Sequence, residues 1–182
     1  MKEKKLEKAT FAGGCFWCMQ GPFDALEEVE KTTVGYTGGT IGNPTYEQVS
    51  MGKTGHAEAI EVFYDPEKIS YRELLDVFWR NIDPTTRNGQ FADKGTQYRT
   101  AIFYHNQEQR RMAEETKGEL EKSGKFDKPI VTEIVPALEF YEAEEYHQKY
   151  YKKKFEAYKR YYHGSGREDY VKNMWGVGMG SD

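Results

Sequence analysis

The stretch "KLEKATFAGGCFWCMQGPFDALEEV", residues 5–29, changes character at two adjacent glycines. Residues 5–12 predict a charged lead into a short strand. Gly13 and Gly14 then permit a tight turn, and the residues after them follow a helical period up to the end of the stretch. The pattern therefore predicts a strand, a turn and a helix, with Cys15 near the helix N-terminus.

This position bears on the chemistry of the two cysteines of the chain, Cys15 and Cys18. Unpaired amides and the dipole at a helix N-terminus favour a thiolate, so we expect a lowered pKa for Cys15. Pro22 is tolerated only near a first turn, which favours a helix start closer to Gly21.

Further along the chain, the hydrophobic patterns predict both kinds of regular element, separated by polar loops. The predicted strands are residues 45–52, 56–65, 98–105 and 128–136. The predicted helices are residues 70–81 and 106–121, with a largely helical segment at 142–162. The predicted loops are residues 35–45 and 83–97, after a charged lead at 1–8 and before a Gly-rich irregular tail at 163–182.

These elements show no regular βαβ alternation and no internal repeat. They predict an α+β fold, a two-layer α/β sandwich with a mixed sheet, helices packed on it and long irregular loops. A length of 182 residues without a linker-like segment fits one domain spanning 1–182. Aromatic residues, 15% of the chain, are expected to supply much of the core.

Charge and hydropathy exclude several classes of function. The net charge of −4 argues against nucleic acid as a partner. The mean hydropathy is −0.88, and neither a signal peptide nor a membrane span is indicated. We expect a cytoplasmic monomer, and in that reducing compartment two close cysteines indicate catalysis, redox chemistry or metal binding rather than a permanent disulfide.

Glu58 is a candidate acid because of its place in the strand pattern. In a strand it shares one face with Ile60, Val62 and Tyr64, which is the more apolar row. A carboxyl among apolar neighbours has a raised pKa and can serve as a general acid. The alternative is a Glu58 at a strand end in water, or paired with a lysine.

Other side chains are weaker candidates on sequence alone. Tyr46, Asp93 and Tyr98 end the two polar loops and could bind an oxygen dipole or fix a water molecule, but with fourteen tyrosines the spacing does not select them. The four histidines lack the spacing of a zinc site, so a thiolate metal-binding module is disfavoured.

A CxxC pair at a strand-to-helix turn is also typical of thioredoxin-like proteins, which makes a general dithiol-disulfide oxidoreductase the main alternative. Those proteins place small or polar residues inside the pair. Here Phe16 and Trp17 would crowd a protein disulfide, whereas aromatic walls suit a small apolar group.

Seven motifs together resemble the A class of peptide methionine sulfoxide reductases. They run in the family's order from about residue 11 to about residue 151: "GGCFWC", "GYTGG", "NPTYEQV", "TGHAEAIEVFYDP", "FWRNIDPTT", "DKGTQYRTAIFYH" and "EEYHQKYY". The resemblance implies reduction of free and protein-bound methionine S-sulfoxide, in the repair of oxidised proteins under oxidative stress. No metal or organic cofactor is implied.

The resemblance also implies a role for each matched residue. Cys15 matches the nucleophile that becomes a sulfenic acid, and Glu58 matches the acid that protonates the sulfoxide oxygen. The matched substrate-binding residues are Phe16 and Trp17 around the S-methyl group, Tyr46 and Tyr98 on the oxygen, and Asp93, which orients the substrate through water.

The chain departs from a common family pattern in its tail, which carries no recycling cysteine. Cys18 is then the intramolecular candidate for a disulfide with Cys15, which thioredoxin would reduce. The alternative is that Cys18 is a buried small residue and that an external thiol reduces Cys15 directly.

Overall fold

A computed structural model of the chain describes residues 3–176, which form two β-sheets and seven α-helices. The strands are β1 (Glu7–Gly13), β2 (Val29–Thr37), β3 (Ala57–Tyr64), β4 (Gly89–Gln90), β5 (Asp93–Lys94), β6 (Thr100–Tyr104), β7 (Glu133–Pro136) and β8 (Tyr141–Glu142). The helices are α1 (Phe16–Asp24), α2 (Tyr46–Ser50), α3 (Tyr71–Arg80), α4 (Gln107–Lys122), α5 (Tyr150–Lys153), α6 (Phe155–Gly164) and α7 (Arg167–Trp175).

The main sheet has six strands in the order β7-β6-β1-β3-β2-β8. The β6–β7 pair is parallel and the other pairs are antiparallel, so the predicted mixed sheet is confirmed. Strand β2 was not predicted from sequence. It pairs with β3 from Val29↔Tyr64 to Thr37↔Ala57, and these long-range hydrogen bonds hold its threonine-rich and glycine-containing sequence extended.

The two faces of this sheet are covered differently. On one face, apolar side chains of β1, β2 and β3 pack against α1, α3 and α4, where Phe11 stacks on Phe23 and Phe78 at centroid distances of 5.4 and 5.0 Å. The opposite face carries alanines and Phe103, against which Val135 and Phe140 pack. Helices therefore form one layer on the sheet, which confirms the predicted two-layer α+β sandwich.

Two predicted elements are wrong, and two others have wrong bounds: the helix predicted up to residue 29 ends at Asp24, and residues 35–37 of the predicted first loop belong to β2. Residues 45–52 form the short helix α2 instead of a strand, because the Thr45 hydroxyl accepts from the Gln48 amide while the Gln48 side chain accepts from the Thr45 amide. The tail predicted as irregular contains α7, whose Arg167 and Val171 lie four residues apart and are both buried. Positions 177–182 of that predicted tail lie outside the described residues.

No helix within residues 3–176 has the length and apolar character needed to cross a bilayer.

Candidate active site

The two glycines between β1 and α1 have separate roles in shaping the turn before Cys15. Gly14 has φ +87°, a region that side chains rarely adopt, and a Cβ atom there would lie 2.6 Å from the Cβ of Gln90. At Gly13 a Cβ atom would lie 2.7 Å from the Met19 sulfur. Gly14 is therefore required by both its backbone conformation and its close neighbours, whereas a side chain at Gly13 would force the Met19 and Ile82 side chains to shift.

Cys15 and Cys18 lie at the beginning of α1 as free thiols, 6% and 2% exposed. Cys15 is the N-cap residue, with φ −57° and ψ 120°, and the Cys18 amide donates to its carbonyl at 3.1 Å. The expected helix start near Gly21 is wrong, because α1 begins at Phe16 and accommodates Pro22 in its interior. The missing N–H of Pro22 leaves the Cys18 carbonyl without its helical donor.

The pKa values of the two thiols depend on each other. Burial raises the pKa of Cys15 well above its usual value, and a hydrogen bond to Cys18 and the charge of that sulfur raise it further. Burial also raises the pKa of Cys18, but the hydrogen bond from Cys15 and the charge of Arg167 outweigh it and lower that pKa. The expected low pKa of Cys15 is therefore wrong for the paired dithiol, since desolvation and its neighbour outweigh the helix N-terminus.

Glu58 lies on β3 and faces the helical layer, as its strand pattern predicts. It is 2% exposed, stands opposite Tyr36 of β2, and accepts the Phe16 amide at Oε1 over 3.1 Å. Burial raises the pKa of Glu58 well above its usual range, and the charge of Cys15 raises it further. The alternative of a solvated Glu58 at a strand end is wrong.

Phe16 and Trp17 belong to an aromatic cluster around His147. Phe16 is buried, with its ring centroid 5.1 Å from that of His147, and the ring centroid of Tyr46 lies 4.4 Å from that of His147. The half-buried Trp17 donates its indole N–H to His147 Nδ1 at 3.0 Å and stacks on Tyr150 at 4.0 Å. The cluster thus holds the two residues after Cys15 in fixed orientations.

Tyr46 is held beside the thiols by two polar anchors. The Glu144 carboxylate accepts the Tyr46 amide at 3.1 Å and the Tyr36 hydroxyl at 3.0 Å. The loop before Tyr46 is shaped by the buried His56, whose Nδ1 accepts the Gly39 amide at 3.0 Å. Burial raises the pKa of Tyr46, with the charges of the nearby acid and thiol adding to the effect.

The second polar loop brings Asp93 and Tyr98 to the same place. Its anchor is the fully buried Gln90, which accepts the Asp83 amide at 2.8 Å and donates to the Asp83 carbonyl at 2.7 Å. Burial raises the pKa of Tyr98, and the charges of the surrounding acids and of Tyr46 raise it further. Asp93 accepts a hydrogen bond from the Tyr161 hydroxyl of α6. The predicted polar or thiol groups of the site are close enough for their charges to affect one another's pKa, and these six groups are Cys15, Cys18, Tyr46, Glu58, Asp93 and Tyr98.

Sequence reasoning missed the residues that position this site. Glu144 and His147 lie in the "EEYHQKYY" motif, which carries part of the family resemblance but implies no role for either residue. Arg167 and Tyr161 come from helices α7 and α6 near the C-terminus. The available signal for a packed helix in that region was the helical spacing of the apolar residues Val171, Met174 and Trp175.

Within residues 3–176, no three His, Cys, Asp or Glu side chains are grouped as metal ligands. The four histidines are dispersed: His105 contacts Thr10 and the exposed His163 contacts Glu168.

Comparisons with known proteins agree with one another. The family model described as peptide methionine sulfoxide reductase matches residues 7–178. Peptide methionine sulfoxide reductase MsrA of Halalkalibacterium halodurans is 55% identical over 174 residues, which cover 96% of this chain and 99% of that protein. Reduced Mxr1 from Saccharomyces cerevisiae superposes with a TM-score of 0.77 at 36% identity, over 84% of this chain and 87% of that chain. Mxr1 in complex with Trx2 superposes with a TM-score of 0.58 at 28% identity, over 82% of this chain and 87% of that chain.

Proposed function

This chain belongs to the peptide methionine sulfoxide reductase family, and we propose on that premise that it reduces methionine S-sulfoxide through Cys15, with Glu58 as the acid and Cys18 as the resolving thiol. The observation that carries this proposal is the buried Glu58 carboxyl, which accepts the Phe16 amide one residue after Cys15. A carboxyl with a raised pKa beside a thiol combines a proton donor with a nucleophile.

In the first step, Cys15 sulfur attacks the sulfoxide sulfur while the oxygen takes a proton from Glu58. The pKa of Cys18 is lowered, so Cys18 is the thiolate of the reduced pair, and the Cys15 thiol proton passes to it across the hydrogen bond that the two sulfurs share. The S–O bond of the substrate then breaks, its oxygen moves to Cys15 as a sulfenic acid, and methionine leaves reduced by two electrons. Glu58 recovers its proton from solvent.

Substrate binding divides between apolar and polar residues. The half-buried Trp17, with Phe16 behind it, provides aromatic surface for the S-methyl group. The hydroxyls of Tyr46 and Tyr98 keep their protons because burial raises both pKa values, so they can donate to the sulfoxide oxygen. Asp93 orients the substrate through water. With methyl and oxygen fixed in separate regions, one handedness of the sulfoxide fits, and we assign the S epimer.

Recycling proceeds through a disulfide. Cys18 sulfur attacks the Cys15 sulfenic acid, releasing water and forming the S–S bond. Cys15 lies outside the helical turn, as its N-cap ψ of 120° shows, so closing this bond requires adjustment at Cys15 rather than unwinding near Gly21. A thioredoxin dithiol then reduces the disulfide. The Mxr1 complex with Trx2 supports this reductant.

We extend the same proposal to the setting of the enzyme. It acts on free and protein-bound methionine sulfoxide as a monomer in the cytoplasm, repairing proteins during oxidative stress. Two free thiols fit that reducing compartment. No cofactor is required, because the electrons pass from thioredoxin through the thiol pair.

The decisive experiment is single-turnover reduction of separate S and R epimers of blocked methionine sulfoxide by prereduced protein. We expect loss of two thiols for each S-sulfoxide reduced, and no reaction of the R epimer or of Cys15→Ser. Loss of one thiol would remove Cys18 from the cycle. No reduction of either epimer, combined with reduction of insulin disulfides, would instead establish a general dithiol-disulfide oxidoreductase.

A further inference from the structure

A buried cation lies beneath the turn that carries the thiol pair. Arg167 is the first residue of α7 and is 2% exposed. Its Nη2 donates to the Gly13 carbonyl at 2.8 Å, and its Nη1 donates to the Asn81 carbonyl at 2.7 Å and contacts the Met19 sulfur at 3.5 Å. These partners end β1, follow α3 and lie in α1. The guanidinium therefore links α7 to the three elements around Cys15.

These contacts leave the charge of Arg167 uncompensated. The three acceptors are neutral, and no carboxylate in the described part of the chain forms an ion pair with it. The guanidinium packs 4.8 Å from the centroid of the Phe91 ring. Burying a charge is costly unless an opposite charge accompanies it. A thiolate on either neighbouring cysteine would supply the negative charge that this buried guanidinium lacks.

We infer that Arg167 is a positioning residue of the thiol pair, whose guanidinium holds the turn at Gly13 and stabilises the thiolate that forms on Cys15 or Cys18. The charge of Arg167 lowers the pKa of both thiols, which is consistent with this placement. Gly14 preserves the contact, because a Cβ atom there would lie 2.7 Å from Arg167 Nη2.

The inference rests on the proposed function for its place in the cycle. When a thioredoxin thiolate attacks one sulfur of the Cys15–Cys18 disulfide, the S–S bond breaks and its electron pair moves to the other sulfur. That sulfur leaves as a thiolate, and a thiol of lower pKa leaves faster. Arg167 therefore promotes reduction of the disulfide as well as formation of the attacking thiolate.

Other ionisable groups face the same thiols. The negative charge of Asp93 opposes thiolate formation on Cys15 and Cys18, and Glu58 adds to this effect on Cys18 only above its own raised pKa, where the carboxyl loses its proton. Tyr158 and Tyr162 of α6 interact with Cys18 and with Arg167, and burial raises the pKa of both, so they are neutral at neutral pH. Arg167 is thus the cation among these groups, and its contribution is measurable by removing its charge alone.

The test is the pH dependence of alkylation of the reduced full-length protein by iodoacetamide. The chain has two cysteines, so the rate reports the pair alone. Arg167→Met removes the charge, Arg167→Lys keeps it, and Arg160→Met removes an exposed arginine from the neighbouring α6 as the matched control. We expect Arg167→Met to raise the first pKa of the pair by about one unit, a roughly tenfold loss of thiolate below that pKa. The other two variants should titrate like the wild type.

An unchanged titration in a folded Arg167→Met variant would overturn the inference. If that variant does not fold, Arg167→Gln decides, because glutamine keeps an N–H donor and removes the charge: a raised first pKa of the pair supports the inference, and an unchanged one overturns it. Failure of the proposed function is separate, because it would appear as absence of sulfoxide reduction by the wild type whatever the titration gives.

Discussion

Glu58→Gln separates proton donation from every other contribution of this side chain. Glutamine has nearly the same volume and retains an Oε1 acceptor for the Phe16 amide, now at 3.1 Å. It cannot transfer the proton that the raised pKa of Glu58 keeps on the carboxyl. General acid catalysis contributes about 10²- to 10⁴-fold, so we expect the single-turnover rate to fall by roughly that factor while the fold persists.

The same substitution has a predictable effect on stability. Because the folded protein holds the Glu58 proton more tightly than the unfolded chain, wild-type stability decreases as pH rises above the usual carboxyl pKa of 4.5 and until the raised pKa is passed. Glutamine does not ionise, so the free energy of unfolding of Glu58→Gln relative to the wild type should increase with pH over this window. Urea unfolding at about pH 5 and about pH 8 measures the difference.

The control for catalysis is Glu61→Gln, which makes the same change on β3 but on the opposite face of the strand. We expect it to retain the wild-type rate of sulfoxide reduction. A Glu58→Gln variant with an unchanged single-turnover rate would refute acid catalysis by this carboxyl, and a relative stability that falls with rising pH would refute the assigned protonation state.

Three further substitutions test the surroundings. Cys18→Ser should retain one round of sulfoxide reduction and lose steady turnover with thioredoxin; equal turnover would contradict a resolving role. Gly14→Ala should lower the free energy of unfolding by about 2–4 kcal/mol, because φ is +87° and the new Cβ atom would lie 2.6 Å from the Gln90 Cβ. A loss below about 1 kcal/mol in urea unfolding would contradict this. Trp17→Phe should cost about 1–3 kcal/mol and raise KM, since His147 Nδ1 loses its donor; unchanged KM and stability would exclude this anchoring role.

Local patterns predicted the elements whose faces differ strongly in polarity. β3 was predicted with the correct face for Glu58, because alternating apolar residues define a strand with one side in the core. α3 was predicted because the apolar residues of 70–81 follow a helical period, and in the structure six of its side chains are buried after the Ser70 cap. In both cases the side chains that decide the structure lie within about ten residues of one another.

Elements held by distant partners were not predicted. β2 contains threonines and glycine that also fit a loop, and its extended form depends on pairing with β3 and β8. The protonation of Cys15 was likewise misjudged, because a helix N-terminus is visible in sequence whereas burial beside Cys18 is not. Tertiary contacts outweighed a correct local argument in each case.

The same distinction explains which part of the site the sequence could identify. Cys15 and Glu58 could be identified from their residue type and local pattern, whereas the three polar groups of the loops were selected only by the family resemblance, and these are Tyr46, Asp93 and Tyr98. The groups that hold them are Glu144, His147 and Arg167, which contact residues far away in the sequence. For Arg167 the contacted residues lie 86 and 154 positions away. An arginine in a polar, Gly-containing tail predicts a solvated side chain, and only the fold shows that its charge lies beneath the thiols. The C-terminal segment thus places a cation beside the proposed redox centre, to which it contributes no cysteine.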